Sequence, residues 1–110
     1  MLKWLYPWEK LYSACRAAIG SGTCPQERLR SAVSEVSLLL HGGHVPDEEL
    51  RNRMEQLVAT CTSKPSQGEG TVPATTSQMT DDEAGDLLQE VFDLFTRVAE
   101  LHALETQHLH

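Results

Sequence analysis

Residues 80–106 read TDDEAGDLLQEVFDLFTRVAELHALET, and this stretch decides the fold class. It opens with a capping box, Thr80-Asp81-Asp82-Glu83. The Thr80 hydroxyl can accept from the Glu83 N–H while the Glu83 carboxylate accepts from the Thr80 N–H. A 3.6-residue period then predicts one helix over about residues 81–106. On a helical wheel Leu87, Val91, Leu94, Phe95 and Val98 centre an apolar half that also takes in Leu88, Phe92, Ala99 and His102. An apolar face about 180° wide exceeds a two-helix seam, so this helix should touch at least two others. At about 38 Å it would outrun every other segment. Apolar surface near its C-terminal end would then stay uncovered within one chain, and a second copy, forming a homodimer, is a candidate to cover it.

Working outward, three shorter helices are expected over about residues 7–19, 25–41 and 46–61. Pro7, Pro25 and Pro46 suit first turns, where a missing N–H is no loss, and Gly20 and Gly42-Gly43 are stop signals. Thr23 or Cys24 would cap the second helix. The apolar stripes are Trp8, Leu11, Tyr12, Cys15, Ala18 and Ile19 in the first, and Leu29, Ala32, Val33, Val36, Leu39 and Leu40 in the second. Leu50, Met54, Leu57, Val58 and Cys61 form the third. Asp47–Arg51 and Glu49–Arg53 are spaced for supportive ion pairs. Residues 62–79, rich in Ser, Thr, Gly, Pro and Gln, are expected to be a flexible linker. The expectation is one all-α domain spanning residues 1–110, a small four-helix bundle with a long linker before its last helix.

Charge narrows the function classes. The chain has 16 acids, nine bases and a net charge of −7. Residues 80–106 hold eight of the acids and one base, Arg97, so the remainder of the chain is neutral and the last helix carries the excess. Phosphate binding needs a basic stripe, so direct nucleic-acid binding is not expected. No apolar run approaches the roughly 18 residues of a membrane span. Residues 1–8 lack the continuous apolar core and small-residue cleavage site of a signal peptide, from which a cytoplasmic location is expected. Three cysteines at irregular spacing, Cys15, Cys24 and Cys61, are no disulfide framework.

Catalytic and metal chemistry find little to build on. His41-Gly42-Gly43-His44 places two imidazoles three residues apart, and a cysteine could extend that set. A small metal-binding sensor or enzyme using His41, His44 and a cysteine is therefore the alternative function, although no second close pair of ligands exists. A di-iron site needs two Glu-x-x-His motifs, and only Glu105-Thr106-Gln107-His108 is present. Gly68-Glu69-Gly70-Thr71 lacks the lysine and spacing of a phosphate-binding loop. Cys15 and Cys61 lie mid-stripe, where cysteine acts as a small hydrophobe. No cofactor and no enzymatic activity are expected.

Two features could carry protein binding. Both tryptophans and both tyrosines, Trp4, Tyr6, Trp8 and Tyr12, fall within nine residues, and such side chains dominate interface hot spots. The competing explanation is that Trp8 and Tyr12 anchor the core while Trp4 and Tyr6 cover its edge. Asp82, Asp86, Glu90 and Asp93 line the outer face of the last helix, either as a solvated face or as a docking surface for a basic protein. The leading expectation is a non-enzymatic interaction module, a small regulator or adaptor. It would bind a protein partner through apolar helix surface and that acidic face.

Overall fold

The computed structural model describes residues 2–20, 24–68 and 70–107. These form five helices and, among the described residues, no strand: α1 Leu5–Gly20, α2 Pro25–His41, α3 Glu48–Cys61, α4 Thr71–Thr76 and α5 Asp81–Gln107. The molecule measures 50 × 25 × 19 Å, and α5, with 27 residues, spans about 40 Å.

α2 is the hub. It packs against each of the other four helices, and its Leu29, Ala32, Val33, Val36 and Leu39 are fully buried. Leu11, Ala14 and Ala18 of α1 meet it from one side, and Val91, Leu94 and Val98 of α5 from another. Leu50, Met54, Leu57 and Cys61 of α3 close the core. The broad apolar face of α5 is divided among α1, α2 and, more lightly, α3, as its width requires.

The helix ends follow local chemistry. Thr80 N–H donates to Glu83 Oε1 at 2.9 Å and Glu83 N–H donates to Thr80 Oγ1 at 3.1 Å, completing the capping box. These bonds to the Thr80 backbone and side chain hold the Glu83 carboxyl below the usual range. Thr80→Ala should therefore cost about 1 kcal/mol, measured by urea denaturation. An unchanged midpoint would mean the cap is dispensable. α3 starts at Glu48, two residues later than expected. Asp47 is its N-cap and accepts from the Leu50 N–H, so Pro46 lies outside the helix. Cys24 is the N-cap residue of α2 and makes no side-chain cap bond, while Thr23 lies outside the described residues.

The segment expected to be a linker differs most. Within residues 62–79, α4 packs against α2 and α3 and buries Ala74, Thr75 and Thr76, making a fifth helix where four were expected. Buried hydroxyls need partners, and these have them. Thr75 Oγ1 donates to Thr71 O and accepts from Lys64 N–H, while Thr76 Oγ1 donates to Val72 O and accepts from Arg30 Nε. Gln26 Nε2 donates to Met79 O and Asp81 Oδ1, fastening the end of this segment to the start of α2.

α1 also starts earlier than expected, at Leu5, and has no acid in its first turn. Its cap comes from the other end of the chain. Lys3 N–H donates to Glu105 Oε2 at 2.8 Å and Trp4 N–H to Glu105 Oε1 at 2.9 Å. One carboxylate of α5 thus satisfies two open N–H groups at the start of α1, where the helix dipole favours negative charge.

Candidate protein-interaction surface

α1 and α5 run antiparallel, with the start of α1 beside the end of α5, and an aromatic seam fills the space between them. Trp8 stacks on Tyr12 at 5.5 Å and on His102 at 5.5 Å, and Phe95 tilts against both Trp8 and Tyr12. Trp8, Phe95 and His102 are half-buried. Tyr12 was expected on the buried stripe with Ile19. Instead Tyr12 is 43% exposed, Ile19 70% and Leu5 39%. The reason is geometric: the apolar arc of α1 is wider than two neighbours can cover, and the core takes Leu11, Ala14 and Ala18 from one edge of it. The N-terminal aromatics therefore divide. Trp8 braces α1 against α5, while Tyr12 stacks on Trp8 at the exposed rim with the Arg16 guanidinium 5.8 Å from its centroid.

Trp4 is half-buried, and its backbone N–H belongs to the Glu105 clasp. Tyr6 contacts the His44 ring at 4.4 Å, with Lys10 Nζ 5.8 Å from its centroid. Sequence spacing gave no sign of the Tyr6–His44 contact, because it joins the outer side of α1 to the loop after α2.

The acidic residues lie on the far side of α5 from the tryptophans, so the two sets do not form one site. Asp82, Asp86 and Asp93 are exposed, and Gln89 Nε2 donates to Asp93 Oδ1 at 2.9 Å. Glu90 is half-buried and committed to Arg53 of α3, in an ion pair and hydrogen bond between the two helices. That bridge takes Arg53 away from Glu49. Arg51 Nη1 turns to Val45 O, and neither expected pair within α3 forms. Glu100 and Leu104 are exposed on the same side as the free aspartates, with Arg97 lying 3.6 Å from Glu100.

The histidines and cysteines stay apart. His41 is exposed at the end of α2 and lines a shallow groove with Ser34, Ser37, Leu38 and Val72. His44 is turned toward Tyr6, and Cys24 sits at the opposite end of α2, about 25 Å away. Among the described residues no three His, Cys, Asp or Glu side chains come together to hold a metal ion. Burial pushes the Cys15 and Cys61 thiols each up to about 11, which leaves both protonated at neutral pH and unreactive. A thiol reagent at pH 8 should accordingly label the half-buried Cys24 first, with the other two reacting only on unfolding. Three thiols reacting together in the folded protein would show an open core.

No described helix is long and apolar enough to cross a membrane. Compared with known proteins, the chain matches no family model, no curated protein and no solved structure.

Proposed function

We propose that this protein is a non-enzymatic interaction module, a small regulator or adaptor that binds a protein partner through the outer face of α5. The observation that carries this reading is the exposed row Asp82, Asp86, Asp93 and Glu100, which lies along one side of α5 and is followed by the exposed Leu104. Eight acids against one base over residues 80–106 favour a basic partner, since complementary charge steers encounter and sets selectivity. Leu104 supplies an apolar foothold at the end of the row. Glu90, engaged with Arg53, has a structural role first and contributes to this surface only at its edge.

The test is capture from cells expressing the tagged chain, comparing wild type with Asp86→Lys/Asp93→Lys at two salt concentrations. A partner held by this face is lost from the double variant, and its recovery falls as salt rises, because screening weakens exposed charge contacts. Equal recovery with both proteins would remove α5 from the reading. Circular dichroism of the double variant should match wild type, both positions being exposed.

A further inference from the structure

The outer face of α1 repeats with a period that the bundle does not use. Leu5, Tyr12 and Ile19 are each seven residues apart, and all three are exposed. Trp8 and Cys15 fall between them at three- and four-residue steps, but Cys15 is buried in the core and Trp8 is half-buried against α5, so the line Leu5, Tyr12 and Ile19 alone is left as an open seam. Along one edge of the seam run two exposed residues, also seven apart and of opposite charge, Glu9 and Arg16. Glu9 makes no ion pair among the described residues, and Arg16 lies over the Tyr12 ring.

We propose that this face is a homodimer seam, in which α1 packs antiparallel against α1 of a second copy about a two-fold axis passing close to Tyr12. The proposal rests on the reading of the chain as an interaction module and names a partner for a second face of it. Charge selects both the occupant and the order. Tyr12 lies midway between Leu5 and Ile19, so an antiparallel pairing sets Leu5 against the partner's Ile19 and Tyr12 against its own copy. The same operation brings Glu9 beside the partner's Arg16 and Arg16 beside the partner's Glu9. Such self-complementarity is what an isologous interface requires. A parallel order would set these charges against the row of Leu11 and Ala18, which is already buried in the bundle. The seam is short, about 21 Å from Leu5 to Ile19, which places it at the small end of specific interfaces and makes the dimer reversible.

Sedimentation over a wide concentration range tests the pairing. Wild type should shift from monomer to dimer as concentration rises. Glu9→Arg and Arg16→Glu should each weaken the dimer about tenfold, because two-fold symmetry repeats the like-charge contact on both sides of the axis. Combining them should restore wild-type association, which a general loss of structure would not do. A second measurement uses geometry alone, in a Cys24→Ser background with a copper–phenanthroline oxidant. Tyr12→Cys should cross-link two chains readily, and Ile19→Cys alone should not, since its copies lie about 21 Å apart. A protein that stays monomeric with no Tyr12→Cys cross-link overturns the proposal, as does a dimer that the paired reversal fails to restore. Asp86→Lys/Asp93→Lys should leave the dimer intact, so loss of the basic partner and loss of the seam are read separately.

Discussion

Leu39→Ala should lower the unfolding free energy by about 3–4 kcal/mol, while Leu38→Ala, one residue earlier, should change it by less than about 0.5 kcal/mol. Both are leucines in the last two turns of α2, with equal helix propensity and the same atoms removed. Leu39 is fully buried in the hub of the core, whereas Leu38 is 55% exposed beside the groove near Val72. Truncating Leu39 forfeits the transfer free energy of its side chain and leaves a cavity that the packed core closes only in part. Truncating Leu38 removes atoms that already meet water over half their area. A domain of this length has only about 5–15 kcal/mol to lose, so the first change alone removes a large fraction of it. Urea denaturation of both variants checks the contrast, with an unchanged m-value marking a pure stability effect. Similar midpoints for the two would mean that α2 is rotated from the orientation described.

The same helix shows why much of the fold was legible in sequence. Its buried positions 29, 32, 33, 36 and 39 follow the helical period, and its ends are marked by Pro25 and Gly42. The capping box likewise announced the start of α5 by local chemistry alone. What was missed depends on contacts between distant residues. α4 buries two threonines where the sequence shows a polar, proline-containing stretch, and it is stable there because Arg30 and Lys64 satisfy the hydroxyls. Glu90 resembles its exposed neighbours in sequence, yet Arg53 draws it to α3. Tyr12 and Ile19 share the apolar period of α1, and only the number of neighbours available to that helix decides that they face water. The candidate surface was thus legible in part. Asp82, Asp86 and Asp93 could be read from charge, while the heptad line on α1 emerged only once burial had separated core positions from exposed ones.

The second large effect concerns the clasp between the chain's two ends. The Trp4 N–H, with the Lys3 N–H and the nearby charges of His102 and Lys3, holds the Glu105 carboxyl below its usual range against the opposing effect of desolvation. A carboxyl whose folded pKa is depressed contributes stability in full above the unfolded value, near 4.3, and loses it as pH falls through the lower folded value. Acid titration should therefore release the start of α1 in a step below the ordinary glutamate range. Both tryptophans of the chain, Trp4 and Trp8, lie at that end and report it directly by fluorescence. Glu105→Gln should shift the emission already at neutral pH and abolish the acid step. An amide oxygen can still accept one N–H, but it carries no charge to oppose the helix dipole. Amide exchange at Trp4 should rise in the same variant, while Leu29 and Val33 in α2 stay protected, because opening the clasp frays one turn and leaves the hub packed. An acid step that persists in Glu105→Gln would assign it to another carboxylate, and the capping partner of α1 would then have to be sought elsewhere than α5.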